Sequence, residues 1–256
     1  VGKQGWRAAA LCVAVGMAGL TACGGPANGP EKKAAPEVRS MNEALGLLRG
    51  YSSVHMIGEL HEDDIVHFDL SADREGNCTG TFTYNGTFEQ EILVKEGRQA
   101  WTRYTDGSIT WLRDLLTKAG QTERLPLFDR TARSVKGKYI EVPRKKMAQE
   151  PVMELCDLDR GFSPFPSSVK QAERFPTDLD GKQVLRLVQL PRARDEVTVY
   201  VPAKGPVAPI RLEYTKLDNP VLMDLTEPGV PVEPVTPDAS KVLPAGSDAD
   251  LYPEFS

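Results

Sequence analysis

The sequence predicts an α+β fold: one large curved antiparallel sheet, a half-barrel of about nine or more strands, covered on its concave face by helices. Three observations predict it. Apolar and polar residues alternate at period two in two blocks, residues 52–104 and 184–225. The connections within the first block are short and rich in Gly, Asn and Asp, so consecutive strands must pair antiparallel. Apolar spacings of three and four mark helices at 37–49, 107–119 and 144–160, the segments available to cover the sheet.

The chain opens with Lys3 and Arg7, an apolar run over residues 8–22, and Leu20-Thr21-Ala22-Cys23. As a helix the run reaches about 22 Å, against a hydrocarbon core of roughly 30 Å, so it is too short to span. A basic leader, a short apolar stretch and small residues before a cut are the layout of a removable secretion signal. With a cysteine at the cut, the segment resembles a bacterial lipoprotein signal. That resemblance implies that the Cys23 thiol receives a diacylglyceryl group and becomes the first residue after cleavage. Residues 1–22 are then signal peptide, and acyl chains on Cys23 hold the protein to the outer face of the cell membrane. Residues 23–36 carry Pro26, Pro30 and Pro36 with Gly24, Gly25 and Gly29 and no apolar period, which makes them a flexible tether of about 20 Å reach.

Loss of Lys3 and Arg7 from 31 cationic and 36 anionic side chains takes the net charge from −5 to −7. Such a surface repels phosphate backbones at long range, so nucleic acid is not an expected partner, and attachment to the membrane is expected to rest on the acyl chains. Cys12 leaves with the signal and lipid caps Cys23, which leaves Cys78 and Cys156. Outside the cytoplasmic membrane a disulfide between them is expected, and it would join a helix to the sheet.

Element by element, Val38, Met41, Leu45 and Leu48 line one face of the first helix, which Gly50 is expected to end in the left-handed conformation. Strands follow at Val54 to Gly58, at Val66, Phe68 and Leu70, at Phe82 and Tyr84, at Phe88, Ile92 and Val94, and at 101–104, a meander of at least five. Asn85-Gly86 signals a two-residue hairpin. Ile109, Leu112, Leu115, Leu116 and Ala119 mark the second helix; Val152, Leu155 and Cys156 mark the third, beginning near Pro151. After Pro176 come four more strands: Val184 to Val188, Val197 to Val201, Ile210 to Tyr214 and Val221 to Leu225. Beyond Glu227 recurrent prolines deny helix and central strand, so this stretch wraps the surface or trails free. The half-barrel domain is placed at 37–243 and an irregular tail at 244–256.

The lipobox, the helix ending at Gly50, Ser53-Val54-His55-Met56-Ile57-Gly58, the Asn85-Gly86 hairpin and the late run of strands together resemble the LprG/LppX-type lipoproteins of actinobacteria, whose fold is similar to that of the LolA and LolB carriers. The resemblance covers roughly 37–243. It implies a half-barrel closed by helices around an apolar cavity that, in family members, holds acyl chains of lipids or glycolipids. No ligand-contacting motif carries over.

Catalytic signatures are absent: there is no Gly-x-Ser-x-Gly, no phosphate-binding loop, no dinucleotide fingerprint and no His-Glu-x-x-His. Ser167-Ser168-Val169-Lys170 contains Ser-x-x-Lys but follows Pro164 and Pro166 and lacks companion motifs. His55, His61 and His67 fall six apart with a turn between them, and solvated turn residues are a better reading than a metal site. Trp101, Trp111 and Phe128 are read as core. The expectation is a non-enzymatic, membrane-anchored lipoprotein, without cofactor or metal, that takes the acyl chain of a lipid or glycolipid into an apolar cavity. The lining candidates come from the apolar strand faces: Val54, Met56, Val66, Phe68, Leu70, Phe82, Ile92, Val94, Val184, Val188, Val197, Val199, Ile210 and Leu212. The alternative is the same half-barrel with a filled interior, acting as an envelope sensor or protein-interaction scaffold.

Overall fold

The computed structural model describes residues 34–61, 65–147, 151–190, 196–215, 220–244 and 251. They belong to one compact unit, Ala34–Ser256. The proposed signal peptide, Cys23 and most of the proposed tether lie outside the described residues.

Helix α1, Pro36–Gly50, opens the unit with Pro36 at its first turn, where a missing N–H costs nothing. Met41, Ala44, Leu45 and Leu48 form its buried stripe. Gly50 does not end it in the left-handed region. It stays helical, and Tyr51 at φ −63°, ψ 124° turns the chain straight into the first strand. That strand, β1 (Ser53–His61), starts the meander of β2 (Ile65–Asp73), β3 (Cys78–Tyr84), β4 (Phe88–Lys95) and β5 (Gln99–Tyr104), each antiparallel to the last. The Asn85-Gly86 corner has both residues at positive φ, 49° and 68°. Because Tyr84 pairs with Phe88, Thr87 is also in the link, and the hairpin loop has three residues where two were expected.

Helix α2, Asp106–Lys118, is capped by Thr105, whose hydroxyl accepts from Ser108 N at 3.2 Å. Helix α3, Leu125–Val135, and the short β6, Tyr139–Glu141, follow; neither was read from the sequence. The expected helix at 144–160 is instead three short pieces, α4 (Arg144–Met147), α5 (Pro151–Leu155) and α6 (Leu158–Gly161). The break between the last two has a local cause. Asp157 takes an extended conformation and its carboxylate accepts from Asp159 N and Arg160 N, so a new helix starts there.

The second block is β7 (Gln171–Leu179), β8 (Lys182–Leu190), β9 (Glu196–Pro202), β10 (Arg211–Thr215) and β11 (Val221–Thr226). β7 begins before Pro176, the point from which alternation is legible. It tolerates Pro176 because it is an edge strand. The later chain crosses Ser53, where Gly229 N donates to Ser53 O at 2.9 Å, and ends in β12 (Val242–Leu243), parallel to β6. All twelve strands form one open sheet in the order β12-β6-β5-β4-β3-β2-β1-β11-β10-β9-β8-β7. β1 and β11 pair antiparallel and join the two blocks.

The close approach at that junction fixes Gly58. A Cβ there would stand 2.0 Å from Leu222 O and 2.8 Å from the tip of Phe68. Gly58→Ala is therefore expected to lower unfolding stability by about 2 kcal/mol or more, because backbone must move. Gly46→Ala, on the exposed side of α1 with nothing within 4 Å of its added Cβ, is expected to raise it by up to about 1 kcal/mol. Urea denaturation of the two variants checks both signs.

Candidate functional site

The inner face of the sheet is one apolar surface spanning both blocks. Val54, Met56, Val66, Phe68, Leu70, Phe82, Ile92, Val94, Val197, Val199 and Leu212 all belong to one buried cluster. Leu60, Ala72, Leu187, Val201, Met223 and Leu225 also belong to it; the last four lie in strands read from the sequence but were not among the lining candidates. Three candidates do not belong. Val184 and Val188 are 1% and 0% exposed but pair with Pro202 and Thr198, while Leu187 pairs with the inner residue Val199. They therefore point to the opposite face. Ile210 precedes β10, half-buried and outside the cluster.

Over this face lies a cover made of separate pieces. α1 presents Met41, Leu45 and Leu48, and the stretch from α5 past α6 adds Val152, Leu155, Leu158, Phe162 and Phe165. Polar latches tie the pieces together. Arg49 donates to Phe165 O at 2.7 Å and to Pro166 O at 2.9 Å, and Asn42 exchanges bonds of 3.2 and 2.7 Å with the Val169 backbone. Arg74 donates to Tyr51 O at 2.7 Å and pairs with Asp159.

The covalent latch is a disulfide between Cys78, the first residue of β3, and Cys156, in the turn between α5 and α6, with Cα atoms 5.3 Å apart. Beside it opens a groove of about 420 Å³ with Arg74, Arg144 and Arg160 against Asp73, Glu75, Asp157 and Asp159, floored by Val94 and Met153. Charges of both signs alternate there, so the groove has no single-sign preference.

A second cluster sits at the other end of β4 and β5, where α2 and α3 pack Leu112, Leu116, Phe128, Ala132 and Val135 on Phe88 and Tyr104. Phe128 and Trp101 are buried, and Trp111 lies 6.2 Å from Phe88. Leu251 joins this cluster, its N–H donating to Tyr104 Oη at 3.2 Å.

The outer face is polar. Glu59 binds both His61, at 2.9 Å, and its cross-strand neighbour His67, at 3.6 Å, while His55 turns to Asp69 at 2.7 Å and Thr226 at 2.9 Å. The three histidines thus divide between two carboxylates; among the described residues no three His, Cys, Asp or Glu side chains are grouped to hold a metal ion. A groove of about 360 Å³ lies over this patch, with Ile57, Leu222, Thr81 and Thr83 as walls. Farther along, Arg211 grips Asp224 at 2.8 Å through its second nitrogen, which raises the guanidinium pKa. Burial, together with the 2.9 Å bond to Glu213, pushes the Tyr200 phenol up to about 12.

No protein-family model and no curated protein sequence matches the chain. Solved structures do. LprF from Mycobacterium bovis superposes at TM-score 0.51 with 15% identity, covering 80% of this chain and 98% of LprF. The lipoprotein LppX of Mycobacterium tuberculosis superposes at TM-score 0.44 with 12% identity, covering 78% of this chain and 98% of LppX. The likeness to LprF is one of fold: a large, mostly antiparallel open sheet with helices, the α+β class expected from the sequence.

The disulfide closes a sequence separation of 78 residues. On the loop-entropy account its loss is expected to cost about 4 kcal/mol of stability. Unfolding in urea with and without a reductant, repeated on Cys78→Ser/Cys156→Ser, measures it; coincident curves for the oxidised and reduced protein would show that the other latches suffice.

Proposed function

We propose that this chain is a non-enzymatic, membrane-anchored extracytoplasmic lipoprotein that takes an acyl chain of a lipid or glycolipid between the inner face of its sheet and the helical cover. The observation that carries the proposal is the inner face itself: a continuous apolar surface across β3, β2, β1, β11, β10 and β9, covered by α1 and the separate short helices α5 and α6. A cover in pieces can part locally while a single long helix moves as a whole. Each CH₂ transferred from water onto such a surface gains about 0.8 kcal/mol, so a chain of about sixteen carbons offsets much of its own extraction from a bilayer. No side chain needs to give or take a proton. The domain reading is residues 1–22 as signal peptide, 23–36 as tether from the acylated Cys23, and 37–243 as the binding domain, onto which Leu251 of the tail packs.

One observation favours a second reading. The inner-face side chains are almost wholly withdrawn from solvent by their own neighbours, with Met56, Leu70, Ile92, Val199 and Leu212 at 0% exposure. An interior packed to that degree suits a scaffold or sensor that binds a partner protein on its surface. In the lipid-binding reading the helical pieces must move apart to admit a chain.

Native mass spectrometry of the protein purified from its own membrane separates the two. A retained mass of several hundred daltons that extraction identifies as a lipid supports binding; a bare protein mass from repeated preparations supports the scaffold. Cys23→Ala is expected to release the protein in soluble form, and a variant still bound to membranes after a salt wash contradicts the acyl anchor.

A further inference from the structure

Charge is distributed very unevenly along this acidic chain. Residues 118–138 hold six Lys and Arg against two Asp and Glu, a local balance of +4 within a net charge of −5. The centre of that stretch is α3, whose two faces differ sharply. Phe128, Ala132 and Val135 point into the second cluster, while Pro126, Leu127, Arg130 and Arg133 are exposed. Leu127 is 57% exposed, the most exposed large apolar side chain on any described helix. Arg130 stands one turn after Pro126 and Leu127, and Arg133 one turn farther, so the apolar tip is bordered by guanidinium groups.

These two cations are uncommitted. Two nearby acids are taken: Asp129 by Arg113 at 2.9 Å and Asp106 by Lys136 at 3.0 Å. Arg130 and Arg133 have no ion-pair partner among the described residues. A surface helix with an apolar side chain at its crest and free arginines beside it has the make-up of an element that lies on a bilayer surface.

We infer that α3 is a membrane-contact surface for anionic phospholipid headgroups, with Leu127 entering the interface and Arg130 and Arg133 pairing with phosphates. The inference rests on the membrane-anchored reading for its biological setting but on α3 alone for its chemistry. Net charge governs the field far from the molecule, where −7, the balance without Lys3 and Arg7, repels an anionic surface. Within a Debye length of about 8 to 10 Å the local +4 around α3 governs instead. A tethered domain is held within reach of that crossover, so contact through α3 orients it, with the α2 and α3 end of β4 and β5 toward the headgroups. A nucleic acid offers phosphate but no apolar layer for Leu127, and an acidic protein surface offers neither the fluid apolar depth nor the uniform charge.

The test uses residues 24–256, which keep the compact unit and lack both leader and Cys23. The protein is sedimented with phosphatidylcholine vesicles containing about a third phosphatidylglycerol, and with phosphatidylcholine alone. Binding is expected to the anionic vesicles only and to fall away at about 0.5 M salt. At about fivefold per surface charge, Arg130→Glu/Arg133→Glu is expected to weaken partitioning by about 25-fold or more, and Leu127→Ser by several-fold. Lys182→Glu/Lys204→Glu makes the same change in net charge at exposed positions elsewhere and is expected to cost less than about half of binding. Equal loss from the two double variants, binding to both vesicle types alike, or no binding by the parent overturns the inference. Because the acyl anchor is absent throughout, failure here leaves the Cys23 assignment standing, and failure of the Cys23→Ala experiment leaves this one standing.

Discussion

The constraint on which the rest depends is that one face of a very wide sheet must be kept from water. Alternation at period two puts apolar side chains from ten central strands on one side, and an open sheet cannot cover them by closing on itself. Every helix is placed by that demand. α1 lies across β7, β8 and β9, α5 reaches β2, and α2 with α3 packs on β4 and β5. The latches exist because the pieces are short: helices of four and five residues have little stability of their own, so a disulfide, Arg49, Asn42 and Arg74 hold them over the sheet.

The same constraint explains how much was legible. β1 to β5 could be read strand by strand because their outer positions are polar, such as His55, His67, Asp69, Thr81 and Thr83, and the period stands out. In β8 it does not. Val184, Leu185, Leu187 and Val188 are apolar on both parities, so nothing in the strand alone says which pair faces the core; pairing with β9 decides for Leu185 and Leu187. β7 was missed because Gln171 to Leu179 is mostly exposed, with Ala172 its one buried residue, as an edge strand can be, and contains Pro176. α3 was missed because three buried residues carry its inner face while its outer face is basic. Helix continuity over 144–160 failed at Asp157, whose side chain prefers to cap.

Function was less legible than fold, for a physical reason. An apolar lining has no directional chemistry, and the residues that would touch an acyl chain are the same types that pack a closed core. Cys78 and Cys156 were readable because only two thiols remained to pair, and the outcome is a disulfide that clamps cover to sheet. The histidines could not be grouped from spacing: Glu59 faces His67 only because β1 and β2 pair in that register.

The central claim is that the inner face accepts an acyl chain by displacing its own cover. Methyl NMR tests it directly, by titrating the delipidated protein with a sixteen-carbon fatty acid while observing Met56, Leu70, Ile92 and Met223 on the inner face and Ile57, Val184 and Val188 on the outer. The account predicts saturable shifts confined to the inner set. Shifts confined to the outer set, or none at saturating ligand, would contradict it.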